Sequence, residues 1–280
     1  DNIFYSPYSL MSALALADAG AVADTKDELE KALGIQDISK FEKELKAYMS
    51  RGNGEGAKLT AANGIWLEDR LLLSDDFEEG FGREAEEYFN AKITKADFVD
   101  NADAVRQEIS DWVKNSTDGF IPDYSSGCDE STVMALINAV YFYGEWASPF
   151  LGKDTGDDVF HGIDGDSDIA MMNKYGAYYK YIEDYSGISA AALPYGDKDI
   201  EMDILMSADE DGAKGILDAV KGLSEEELKG LFKQLDDAET TRLARLAVPK
   251  FGMDNTFPSL EQTLKTIGIE KAFTGREYRL

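Results

Sequence analysis

Three observations predict an α+β protein. Helical patterns crowd the first part of the chain and strand patterns the later part, without the strand-helix alternation of a doubly wound sheet. The run Thr132–Phe142 is almost wholly apolar, which reads as a strand covered on both faces in the middle of a large sheet. Beyond Asp154, short strand patterns are separated by Gly/Asp turns.

Ser6-Pro7 opens a helix over Tyr8–Ala19 that ends at Gly20, with Ala13, Ala15 and Ala17 on several faces, as for a helix buried nearly all round. Asp24-Thr25 is expected to cap a second helix, Lys26–Leu33, closed by Gly34. A third, amphipathic helix fits Ser39–Met49, and Arg51–Gly56 is a glycine-rich loop. Lys58–Leu73 reads as a strand. Ser74-Asp75-Asp76 caps a helix running to about Asn90, and Ala91–Phe98 is a short strand. Asn101–Val113 is a helix that turns Ala104, Ile109, Trp112 and Val113 to a sheet. After the apolar strand come strands near Ile169–Met172, Ala177–Ile182, Ala190–Pro194 and Met202–Met206. Helices Gly212–Val220 and Ser224–Leu235 follow, the second with a capping box from Ser224 and Glu227. Arg242–Phe251 alternates as a strand, and Leu260–Ile267 is helical up to Gly268.

The chain has 280 residues, which suits one large domain or two small ones and is enough to bury a sizeable core. A net charge of -27 repels phosphate backbones and anionic membranes, so nucleic acid and membrane surfaces are not expected partners. No window approaches the roughly 20 apolar residues of a membrane-spanning helix. The chain opens at Asp1 without an initiator Met, which reads as a trimmed N-terminus, so localisation is not legible there. The one cysteine, Cys128, rules out an internal disulfide, and its acidic neighbours Asp129-Glu130 argue against a reactive thiolate.

Catalytic constellations are missing from the pattern. The one histidine, His161, lies beside a Gly/Asp loop and reads as a surface turn residue; a Ser-His-Asp or Cys-His mechanism would have to use it. No GxSxG, HExxH, Walker A or GxGxxG motif occurs, so no catalytic residue, cofactor or metal ligand is assigned. Asp164-Gly165-Asp166-Ser167-Asp168 hints at a calcium loop, but Ile169 and Tyr175 stand where such a loop needs Gly and Glu. Lys40, Lys43, Lys46 and Arg51 could meet a sulfated polysaccharide, yet Glu42 and Glu44 between them make an ordinary solvated face. Asn115-Ser116-Thr117 is a glycosylation sequon. Inside the apolar strand, Asn138 is the polar exception. A buried amide needs hydrogen-bond partners or costs about 1–3 kcal/mol, so Asn138 belongs to a network or the strand is misread.

Several segments, in one order along the chain, resemble the serpin family. They are Asn2–Leu10 (NIFYSPYSL), Gly20–Gly34, Ala62–Leu67 (ANGIWL), Ile109–Val113 with Thr117–Ile121, Leu136–Trp146 (LINAVYFYGEW) with Pro149-Phe150, Val248-Pro249-Lys250-Phe251, and Leu264–Phe273. The resemblance implies an α+β fold with a large central mixed sheet, two smaller sheets and surrounding helices. It implies one serpin domain over 1–280, a monomer without cofactor that is not an enzyme, and a serine (less often cysteine) protease as partner. The protease cleaves an exposed reactive loop, which inserts as a new strand into the central sheet while the covalent acyl-enzyme is dragged and distorted. By family position, Ser6, Ser9 and Asn138 would form the "shutter" beneath the opening sheet, and Trp146 would stand at the "breach" where the loop enters.

The departures are specific. The family's first helix would precede Asp1. Its further central strand, reactive loop and C-terminal core strands would follow Phe273, where the chain has only Thr274–Leu280. The shutter's histidine partner would lie in that missing segment, and Glu145 stands where a Lys is common. The bait is therefore expected to be absent from this chain. A non-inhibitory serpin acting as carrier, chaperone or storage protein is the alternative, and small residues in the loop's hinge would separate the two. Family resemblance implies an extracellular protein, with the cytoplasm also open.

Overall fold

The computed structural model describes residues 3–34, 40–41, 43–44, 47, 54–71, 77–196, 200–208, 212–253 and 260–273. They divide into two compact units: Asp1–Asn53, Lys58–Phe142 and Met253–Leu280 in the first, Gly54–Ala57 and Tyr143–Gly252 in the second. Most of the predicted helix Ser39–Met49, the cap at Ser74–Asp76 and the tail Thr274–Leu280 lie outside the described residues.

In the first unit, α1 spans Pro7–Gly20 and α2 Ala23–Leu33. Ser6 is the N-cap of α1, with Pro7 at the start as anticipated. The alanines suit a helix buried on more than one side. Ala15 and Leu16 pack into one cluster with Ile65, Leu67 and Phe81, while Leu10, Leu14 and Ala17 pack on Leu29, Leu264 and Ile269. Helix α2 differs from expectation at its start. Val22 is the N-cap, without a side-chain hydrogen bond, and Asp24 falls in the first turn, where its charge favours the helix dipole instead. Gly34 closes the helix in the left-handed region, as expected.

Strand β1 is Ala57–Glu68. A five-residue π-helical turn, Glu78–Gly82, leads into α3, Arg83–Phe89, which Asn90 ends at φ 49°. Strand β2 is Ala91–Ala96 and helix α4 is Phe98–Ser116. Helix α4 starts earlier than the expected Asn101. Asp97 is the true N-cap, accepting from Asp100 N–H, and a local kink at Asn101 disguises the start. Val105, Ile109 and Val113, at helical spacing, face Trp66, Ala135 and Ile137; Ala104 is exposed, and Val105 holds the place assigned to it. Strand β3 is Met134–Gly144.

These strands form a sheet in the order β2-β1-β3. The β1–β2 pair is parallel. Strand β3 begins where β1 ends, with Glu68 N–H donating to Val133 O at 2.9 Å, so it runs antiparallel and the sheet is mixed. Alternate residues Ala135, Ile137 and Ala139 are buried. Helix α4 covers that face, and Leu136 on the other packs towards the α1–α3 cluster. Over Ala135–Val140 both faces are thus covered, as the apolar run suggested, whereas Phe142 and Tyr143 are exposed. Its lateral position is different: among the described residues it is the last strand of a three-stranded sheet, not an interior one.

In the second unit, β4 (Thr155–Gly162), β5 (Gly165–Tyr175) and β10 (Arg245–Pro249) form a sheet in the order β10-β5-β4. Strands β6 (Tyr178–Tyr185), β7 (Ile188–Pro194), β8 (Glu201–Ser207) and β9 (Thr240–Arg242) form another, ordered β8-β7-β6-β9. The single strand read over Arg242–Phe251 is therefore two strands in two sheets, because their partners β5 and β6 part at Gly176, φ 64°. Helices α5 (Gly212–Gly222) and α6 (Glu225–Asp237) pack Ile216, Val220, Leu231 and Leu235 on one face of β7. Tyr179, Leu193 and Val248 fill the other face, so β7 is a strand buried on both sides. The capping box from Ser224 and Glu227 forms as expected.

Helix α7, Glu261–Thr266, belongs to the first unit and leads to Gly268 at φ 94°. No helix among the described residues is long and apolar enough to cross a membrane.

Trp66 is almost fully buried, and a Cβ on Gly64, two residues back on the same face of β1, would collide with its ring. Gly64→Ala should therefore destabilise by about 1–3 kcal/mol from overpacking. Ile109→Ala should cost about 2–5 kcal/mol from the cavity left behind. Both are read from urea melts, and an unchanged midpoint for Gly64→Ala would displace Trp66 from its place over β1.

Candidate functional site

Ser6, Ser9 and Asn138 meet in the first unit. The Ser6 hydroxyl accepts from Ser9 N–H at 3.1 Å, which fixes the first turn of α1 and points Ser9 into the fold. The Ser9 hydroxyl donates to Asn138 Oδ1. Asn138 Nδ2 donates to Asn63 Oδ1 at 2.8 Å, and Asn63 Nδ2 donates to Phe89 O, the end of α3, at 3.0 Å. Ser12, buried one turn along α1, reaches Asn63 Oδ1 at 3.5 Å. A polar path thus runs from α1 through β3 and β1 to α3. It gives Asn138 the network its position demanded. Ser6 joins only through the Ser9 backbone.

Asn63 and Ser12 were not singled out in the sequence, and they are the more deeply buried members. Asn138 is half-buried. The signal for Asn63 was of the kind that flagged Asn138: an amide between apolar residues of a strand, in Ala61-Ala62-Asn63-Gly64-Ile65-Trp66. Ser12 had no signal, since a serine in an alanine-rich helix is unremarkable without knowing what it faces.

Nearby on α1, Asp18 is fully buried and Lys26 Nζ lies 3.5 Å from Oδ2. Burial pushes the Asp18 carboxyl up and the Lys26 charge pulls it back.

Trp146 lies in the second unit, just past the end of β3. Neighbouring backbone bonds hold it: Glu145 N–H to Gly56 O at 2.8 Å and Ala147 N–H to Pro194 O at 2.9 Å. Gly196 N–H closes the turn onto Glu145 O, and a Cβ at Gly196, φ 41°, would strike Glu55 O. The indole stacks on Tyr195 with ring centres 4.5 Å apart and meets Phe150 edge-on at 5.8 Å. It lines a cavity of about 380 Å³ with Met172, Tyr195, Met202, Val248 and Phe251. Burial raises the Tyr195 hydroxyl pKa.

The remaining candidates sit in ordinary surroundings. His161 is exposed on β4, its Nδ1 2.7 Å from Asp166 Oδ1 across the β4–β5 hairpin. Asp164, Asp166 and Asp168 are exposed around the same turn. Cys128 is buried in the cluster under α4. Lys40 pairs with Glu44, whereas Lys46 and Arg51 lie outside the described residues.

The family described as Serpin (serine protease inhibitor) matches residues 1–280. The chain belongs to the serpin family. Antithrombin-III of Homo sapiens is 29% identical over 290 residues, which take in 100% of this chain and 60% of that protein. Leukocyte elastase inhibitor of Bos taurus is 30% identical over 284 residues, 98% of this chain and 72% of the relative. Among solved structures, the thermophilic serpin tengpin in its latent state superposes with a TM-score of 0.80 at 29% identity, covering 98% of this chain and 71% of tengpin. The serpin chain described here thus spans 60% of the length of antithrombin-III.

Truncating Asn138 strands the Ser9 hydroxyl and one Asn63 lone pair. Asn138→Ala should lower unfolding free energy by about 1–3 kcal/mol. Combined with Asn63→Ala it should depart from additivity by about 0.5–3 kcal/mol, as members of one network do. Strict additivity in chemical denaturation would mean that the two amides act separately.

Proposed function

We propose that the protein containing this chain inhibits a serine protease by the serpin route. The observation that carries the reading is the position of β3. Helix α4 covers one face of Ala135–Ala139, Leu136 on the other packs towards residues of α1 and α3, and β1 pairs along the strand. An extended segment that joins a sheet as a strand gains main-chain hydrogen bonds along its length, and insertion of a serpin's cleaved loop is a known instance of such addition. The relatives named for thrombin and elastase inhibition support the same reading.

In this mechanism the serine of the protease attacks the loop's scissile carbonyl, and the new N-terminus leaves with its proton. The ester that remains joins protease and inhibitor. The loop then enters the sheet beside β3 faster than water hydrolyses the ester, and the displaced protease loses its catalytic geometry. Ser6, Ser9, Asn138 and Asn63 act as positioning residues, holding β1 and β3 on α1 while the sheet admits a strand. Trp146, wedged between Tyr195 and Phe150, takes the breach role.

The test uses the full-length protein and a panel of serine proteases on a denaturing gel. A covalent complex that survives denaturation, with the protease inactive, is expected. Loop cleavage with every protease left fully active would overturn inhibition in favour of the carrier, chaperone or storage alternative. Asn138→Ala should reduce the fraction of protease trapped and increase the fraction of cleaved, released inhibitor, because a loosened β3 slows insertion relative to hydrolysis.

A further inference from the structure

We propose that Glu68, Asp69 and Asp97 form a binding site for one divalent cation, with calcium the best chemical match. The site stands apart from the polar path through Asn138 and from any role in trapping a protease.

The sheet builds it. Strands β1 and β2 run parallel with Glu68 paired to Ala96, so both chains leave the sheet at the same edge. Asp69 N–H donates to Ala96 O at 2.9 Å and holds the two exits together. One carboxylate oxygen from each of Glu68, Asp69 and Asp97 lies within 4.8 Å of the other two. Calcium binds oxygens at about 2.3–2.6 Å, so ligand atoms around one ion stand up to roughly 5 Å apart.

An independent observation points to a ligand. Glu68 is only 7% exposed, and its Oε2 accepts from Phe98 N–H at 2.8 Å, while its buried Oε1 has no hydrogen-bond partner. A buried carboxylate oxygen without a donor is costly unless a cation meets it. Arg70 does not do so fully. Its Nε lies 3.8 Å from that oxygen, beyond hydrogen-bond reach, and its terminal nitrogen turns to Asp100 and to Asp97 at 3.4 Å. Three carboxylates, those of Glu68, Asp97 and Asp100, share this one guanidinium.

The donor set selects the ion. All three ligands are carboxylates with no imidazole or thiolate among them, which suits calcium, magnesium or manganese over zinc or copper. Asp69 is exposed, leaving room for waters to complete a flexible shell, and calcium tolerates such geometry better than magnesium. Asp97 is held in place by accepting from Asp100 N–H at 2.9 Å and Asn101 Nδ2 at 2.6 Å. The net charge of -27 draws cations to the surface generally. An ion here would tie the end of β1 to the N-cap of α4, the helix that covers one face of β3.

The experiment strips the full-length protein with EDTA and titrates it with CaCl2 by calorimetry and by thermal unfolding. MgCl2 and NaCl at matched ionic strength run in parallel. One saturable calcium site is expected, with a dissociation constant on the order of 10⁻⁵–10⁻³ M. Asp69→Asn should weaken it by about tenfold or more, because ligand charge sets calcium affinity. Glu68→Gln should do the same while keeping an acceptor for Phe98 N–H. Asp69 is exposed, so its variant decides the matter if Glu68→Gln does not fold. A thermal response that follows ionic strength alone, or variants that titrate like the parent protein, would overturn the site.

Discussion

Three side chains, Ser9, Asn138 and Asn63, carry a hydrogen-bonded path from α1 across β3 and β1 to the last carbonyl of α3. Around them the packing is apolar: Ala15, Leu16, Ile65 and Leu67 on one side, Trp66 and Ile137 on the other. In such surroundings a satisfied polar chain is strong and a broken one is expensive, since each stranded group keeps its desolvation penalty. The path therefore sets where β1 and β3 lie on α1, and the helices on the two faces of the sheet inherit that placement.

In the order β2-β1-β3, strands β2 and β3 stand at the two lateral ends among the described residues. Soluble proteins usually blunt such an edge with charge, proline or a bulge, because it invites pairing with another chain. Strand β3 carries no proline, lysine or acidic residue along Met134–Gly144.

Acidity is handled locally rather than evenly. Asp18 is buried against Lys26, and Arg70 is spread over Glu68, Asp97 and Asp100. On α6, Lys229 and Lys233 pair at helical spacing with Glu225 and Asp237. The exposed pairs add little to stability. The Glu68 and Asp18 groupings differ because burial removes water from one oxygen of each carboxylate.

The sequence by itself determined the fold class, the positions of most helices and the family. It did so because these rest on local signals: Ser6-Pro7 at a helix start, Gly34 in the left-handed region, the Ser224–Glu227 box, and motifs whose order does not depend on packing. It also marked Asn138 as needing partners, because an amide in an apolar strand is conspicuous. Tertiary structure decided what local pattern could not express. An apolar run shows that β3 is covered on both faces but not which strand lies beside it, since side chains report the faces of a sheet and backbone groups its edges. The alternation through Arg242–Pro249 does not show where the chain changes sheets, because that depends on β5 and β6 parting at Gly176. Ser12 facing Asn63, and Asp97 meeting Glu68 and Asp69, join residues far apart in the chain, and only folding brings such groups within reach of one another.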